Sequence, residues 1–84
     1  MKKSVMMFTL STCSHCKAAK RFLNEHNVEF SFKDVDLLEA GEREEALDEV
    51  RGYNPKLTFP TIVIDGRQVI VGFQDREIKE ALGL

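Results

Sequence analysis

Two cysteines, Cys13 and Cys16, stand two residues apart in the stretch "STCSHCKAAKRF", and the 84-residue chain has no others. Thiols this close can clip a metal, staple the chain or exchange disulfides. A staple across a two-residue gap removes little chain entropy, because disulfide stabilisation grows with the loop it closes. A structural zinc site wants four cysteine or histidine ligands. The only histidines are His15 and His26. His15 lies between the thiols and strains to share their ion. His26 is ten residues beyond Cys16, about 15 Å along a helix at ~1.5 Å per residue. A mononuclear metal site within one chain is therefore not expected. A cluster shared between two chains stays open, since each chain can donate thiolates.

Exchange is the chemistry that the pair suits. A thiol attacks as the thiolate. Cys13 falls where an apolar run gives way to a helical pattern, so the unsatisfied N–H groups and the dipole of the helix start favour negative charge on its sulfur. Lys17 and His15 are expected to add positive charge nearby. Such a sulfur is also a good leaving group, which an enzyme that forms and releases mixed disulfides needs. Cys16, one turn further and on the inner face, is expected to be buried and to act as the resolving thiol; the plainer alternative is a small core residue.

The elements that position the pair follow from periodicity. Ser4–Leu10 reads as a strand buried on both faces. From Ser14 to His26, Cys16, Ala19, Phe22 and Leu23 share one helical face, and Asn27 serves as the stop. "VEFSF" alternates with Val28, Phe30 and Phe32 on one side, the period of a strand. Residues 34 to 49 carry eight carboxylates against Arg43 alone; Ala46, Leu47 and Val50 give this segment a narrow apolar stripe, so it reads as a helix with a solvated face. Gly52 and Pro55 are expected to end it. Thr61–Ile64 and Gln68–Val71 form a hairpin on the turn Asp65-Gly66. Gly72 ends the second strand, and Asp75 is expected to cap a last helix that buries Ile78, Ala81 and Leu82.

The resulting order is βαβαββα: one α/β domain over residues 1–84, with a mixed four-stranded sheet flanked by three helices. Its first two strands are parallel through a right-handed crossover. Pro60 precedes a strand and cannot donate to the ladder. A cis Phe59-Pro60 bond is one solution and leaves the Phe59 backbone free to pair with an extended substrate, although trans is the commoner form.

A net charge of −2 gives no basic excess for nucleic acid. No apolar run approaches the ~20 residues of a membrane span. "MKKSVMMFTL" is too short in its apolar part for an export signal and is followed by no cleavage site. The expectation is a cytoplasmic monomer with no tightly bound cofactor, a setting in which a close cysteine pair is catalytic or metal-binding more often than structural.

"MFTLSTCSHC" after a first strand, "TFPT" before the hairpin and "VGFQD" opening the last helix together resemble a glutaredoxin, within the thioredoxin superfamily. The resemblance covers nearly the whole chain. It implies a thioredoxin-like fold of the glutaredoxin type, with Cys13 as nucleophile, Cys16 as resolving cysteine and Pro60 cis. It implies that Thr58 and Phe59 present backbone to a thiol substrate such as glutathione, with Gly72, Phe73, Gln74 and Asp75 beside the same groove. The implied function is reduction of protein or glutathione mixed disulfides, recharged by glutathione or by thioredoxin reductase. The motifs also depart from the family's. Ser14-His15 replaces Pro-Tyr, Leu10 stands where a lysine is common, and Gly72-Phe73 replaces Gly-Gly. Gly-Phe resembles the glutaredoxin-like donors that thioredoxin reductase recharges, which admits electron donation to ribonucleotide reductase as an alternative. Iron–sulfur cluster carriage is another. A histidine at position 15 also resembles strongly oxidising periplasmic enzymes.

Overall fold

The computed structural model describes residues 3–84. Met1 and Lys2, part of the charged start weighed as an export signal, lie outside the described residues. The elements run β1 (Val5–Thr9), α1 (Ser14–Glu25), β2 (Ser31–Asp34), α2 (Ala40–Tyr53), β3 (Thr61–Ile64), β4 (Gln68–Val71) and α3 (Asp75–Leu82), the expected order, with a single 3-10 turn at Val35–Leu37. The sheet order is β2-β1-β3-β4. β1 pairs parallel with β2 and antiparallel with β3, and β3 pairs antiparallel with β4.

Strand alternation divides the core between the two faces of the sheet. Val5, Met7, Ile62, Ile64 and Ile70 meet Ala19 and Leu23 of α1 and Ile78 and Ala81 of α3. Phe8 and Val63 point the other way and meet Ala46 and Val50 of α2, with Val35 of the 3-10 turn. The acidic helix thus covers one face alone, through the narrow stripe read from the sequence. The hairpin turn also follows expectation: Asp65 and Gly66 both have positive φ, 53° and 72°, as a type I′ turn requires.

Four boundaries differ from the sequence reading. The second strand is Ser31–Asp34, not the alternating "VEFSF", and Phe32 is left exposed. The cause is the end of α1: Asn27 turns left-handed (φ 55°), its N–H bonds to Asn24 O, and the Val28 N–H bonds to Leu23 O. This closing motif carries the chain along the helix end, where Val28 and Phe30 pack on the core without joining the sheet. The acidic segment is likewise not one helix: it starts as the 3-10 turn and becomes α-helical at Ala40. Gly52 does not stop α2, which runs to Tyr53. Pro55 sets the end by excluding the helical region for the residue before it, and Asn54 is extended at φ −142° and ψ 90°. Finally, the cap of α3 is Gln74, with Asp75 in the first turn.

Candidate active site

β1 and β3 are central antiparallel neighbours, with Phe8 opposite Thr61. The loop leaving β1 and the loop entering β3 therefore lie at the same end of the sheet. The first carries Cys13 and the second carries Pro60.

Cys13 is the N-cap of α1, and its sulfur accepts the Cys16 N–H at 3.2 Å. A helix start offers several such unsatisfied donors, and its dipole favours negative charge. The Cys13 thiol also faces the Phe59 carbonyl at 3.9 Å. The Phe59-Pro60 bond is cis. Both cysteines are unbridged, Cys13 half-buried and Cys16 buried. Burial pushes the Cys16 thiol from its ordinary 9.0 up to about 12. The hydrogen bond and charge of Cys13 push the same way, while a Leu10 backbone hydrogen bond and the Lys20 charge pull it down. Cys16 is thus a buried, neutral thiol at pH 7.

The sequence alone does not single out the residues that hold the second loop. Asn54 is buried, and its Nδ2 donates to Thr58 O, Thr58 Oγ1 and Thr61 Oγ1 at 3.2, 3.0 and 3.1 Å. Thr61 Oγ1 donates back to Thr58 O at 2.8 Å. Asn54 Oδ1 accepts the Lys56 N–H at 3.3 Å. Asn54 before Pro55, with threonines on either side of Phe59-Pro60, is the one signal that points to this brace. The first loop is held by Asp36, which accepts Ser11 N–H at 2.8 Å and Ser11 Oγ–H at 2.5 Å. Those two bonds keep the Asp36 carboxyl below its ordinary 3.8.

The remaining predicted site residues fall in different places. Gly72 joins the Pro60 loop, since its N–H donates to Pro60 O at 2.8 Å and its φ of 82° suits glycine. Phe73 turns into the core, edge-on to Phe22 at 5.7 Å. Gln74 donates to Val71 O at 2.8 Å. Asp75 Oδ1 accepts the Arg76 N–H at 2.8 Å. Thr58 is exposed, and its backbone oxygen is taken up by the Asn54 brace. His15 and Lys17 are exposed; among the described residues no hydrogen bond or ion pair ties either side chain to Cys13. A cavity of about 720 Å³, lined by Val5, His26, Phe30 and Leu82 among others, lies at the far ends of β1 and α1 from Cys13. Among the described residues no three metal-ligating side chains gather.

A profile of the family described as Glutaredoxin matches residues 5–69. The chain belongs to the glutaredoxin family. A glutaredoxin-like 8.6 kDa protein from the rubredoxin operon of Clostridium pasteurianum, itself uncharacterised, is 32% identical over 93% of this chain and 96% of its own length. Mitochondrial glutaredoxin-2 of Mus musculus is 33% identical over 75% of this chain. Of that longer relative, the match spans only 39%. Among solved structures, the methanoredoxin of Methanosarcina acetivorans superposes with a TM-score of 0.93 at 41% identity, over 96% of this chain and 85% of that one. The glutaredoxin of Methanosarcina mazei Go1 gives 0.90 at 47%, over 96% and 79%. The thioredoxin-like architecture of this glutaredoxin, with its mixed four-stranded sheet and three helices, agrees with both neighbours.

Proposed function

We propose that the protein is a dithiol–disulfide oxidoreductase that reduces protein disulfides or glutathione mixed disulfides. The single observation that carries this reading is the Cys13 sulfur, capped by the Cys16 N–H and facing the Phe59 carbonyl. In the first step Cys13 attacks one sulfur of the substrate disulfide. A mixed disulfide forms and the other substrate sulfur leaves as a thiolate. An extended substrate strand pairs with the free Phe59 edge, which aligns its disulfide with Cys13. In the second step Cys16 attacks the Cys13 sulfur. Its proton passes to the departing substrate thiolate, and the Cys13–Cys16 bond retains the two electron equivalents' worth of oxidation. The reductant then reverses these steps.

This chemistry asks for no resident cofactor, nucleic acid or membrane. The setting we propose is a cytoplasmic monomer. Leu10 supports a second reading of the reductant: it packs on the α2 side of the core and offers no charge to a glutathione carboxylate. A flavoprotein reductase of the thioredoxin reductase type is then the recharging partner. Replacing Cys13 by serine is expected to abolish reduction of a disulfide peptide; undiminished turnover refutes the assignment. Reducing the oxidised protein with glutathione and, separately, with thioredoxin reductase and NADPH decides between the two reductants.

A further inference from the structure

The second step demands ionisation of the thiol that the fold keeps most firmly protonated. Burial, the largest cause, holds its titration above the ordinary 9.0 whether or not Cys13 is free, so little Cys16 is ionised at pH 7. Whatever eases that ionisation controls how fast the mixed disulfide resolves.

Lys20 lies four residues after Cys16 on α1. Residues at that spacing are neighbours on one helix face, with Cβ atoms about 5–6 Å apart. Its side chain is 21% exposed and its Nζ is 3.1 Å from Asp34 Oδ1 on β2. The same oxygen lies 2.6 Å from the hydroxyl of Thr9, which is fully buried. The Phe32 ring sits beneath the ammonium at 3.9 Å. A lysine on a surface helix ordinarily extends its head into water; this one is held against the sheet by an anion and an aromatic face.

We propose that Lys20 is a positioning residue for resolution: anchored by Asp34 and Phe32 one turn beyond Cys16, its ammonium supplies the positive charge against which the Cys16 sulfur sheds its proton. This rests on the exchange reading above. The charged and titratable groups that act on Cys16 are Cys13 and Lys20 on its own helix; Asp34 of β2 pairs with the Lys20 ammonium, and Lys17 and His15 on the first turn are exposed. Of these, Lys20 lowers the Cys16 titration and Cys13 raises it. Once Cys13 is bonded to substrate it carries no charge, and Lys20 is left as the positive group acting on Cys16. The proton leaves with the substrate thiol, so the step balances.

The test uses the reduced full chain and dithiodipyridine, which releases one chromogenic thiopyridone when Cys13 attacks and a second when Cys16 resolves. Rapid mixing across a pH series separates the two. Lys20→Met keeps the stem and removes the charge; Lys20→Arg keeps the charge. One unit of upward shift cuts the thiolate about tenfold and raises its intrinsic nucleophilicity about threefold, a net loss of about threefold. The expected result is a first release unchanged in Lys20→Met and a second slowed at least about threefold. Its pH profile moves to higher pH, and Lys20→Arg restores it. A second release that is unchanged at every pH overturns the proposal. So does equal slowing of both releases, or slowing in Met and Arg alike. Should Lys20→Met not fold, Lys20→Gln serves the same comparison. A wild-type protein giving no first release overturns the exchange reading itself.

Discussion

Asn54 is where the fold and the site depend on one side chain. Its carboxamide reaches three acceptors and receives one backbone N–H, in the loop that ends at Pro60 and on Thr61 at the start of β3. Replacement by alanine leaves Thr61 Oγ1 donating to Thr58 O, so part of the brace survives. The loss is two to three hydrogen bonds at about 1 kcal/mol each, or about 2–3 kcal/mol in all. For a domain of this size each kcal/mol moves Tm by about 4–8 °C, so Asn54→Ala is expected to melt roughly 10–20 °C below wild type. Denaturant titration gives the free energy directly, with the slope unchanged. The functional half is separable. A loosened Phe59 edge aligns a peptide disulfide less well and raises KM for it, while a small disulfide that makes no strand pairing is affected less. A stability loss below about 0.5 kcal/mol refutes the brace. A full loss of stability with KM unchanged refutes its link to substrate alignment.

Two further outcomes come from titrations. Cys16 is pushed from 9.0 to about 12, partly by Cys13. Its folded value is raised, so the stability it contributes is fully present below 9.0 and is lost as pH rises toward about 12. Wild type is expected to lose stability across that window more steeply than Cys16→Ala, and ultraviolet thiolate absorbance in Cys13→Ser is expected to place Cys16 below its wild-type value; identical curves contradict this. Asp36 behaves oppositely. Its value is depressed below 3.8 by the two Ser11 bonds, so its contribution is present above the ordinary carboxyl range and fades as pH falls through the folded value. The Tm gap between wild type and Asp36→Asn is expected to close on acidification, and a gap independent of pH counts against the clamp.

What was legible in the sequence was mostly local. The Cys13 cap, the Asp65-Gly66 turn and the apolar faces of α1 and α3 depend on residues within a turn or two of each other, and spacing reports them. The alternation of "VEFSF" does not mark a strand, because any segment that buries every second residue alternates, and Val28 and Phe30 do so beside a helix end. Gly52 costs a helix about 1 kcal/mol relative to alanine, which burial of Ala46 and Val50 offsets. The meeting of Cys13 with Phe59 is 46 residues apart in sequence, and no local pattern encodes it. The family resemblance implies that both serve one thiol substrate, without giving their contact. Neither route supplied Asn54, Lys20 or Asp36, whose roles arise from polar contacts that exist only once the chain has folded.

The register of β1 against its neighbours therefore fixes the chemistry as much as the cysteine spacing does. Thr9 and Thr61 are both fully buried at the end of the sheet where the two loops meet. Thr9 ties its strand end to Asp34, and through Asp34 to Lys20. Thr61 ties its strand start to Thr58, and through Asn54 to the Pro60 loop. Each hydroxyl thus connects a strand end to one half of the reaction: Thr9 to the charge beside the resolving thiol, Thr61 to the edge that aligns the substrate. A slip of one residue between β1 and β3 turns every side chain to the opposite face. It takes Cys13 away from Phe59, and the same slip between β1 and β2 takes Thr9 away from Asp34. The Cys-x-x-Cys pair forms its cap from helix geometry alone, so its capacity to bridge is local. Its capacity to meet a substrate is a property of the sheet.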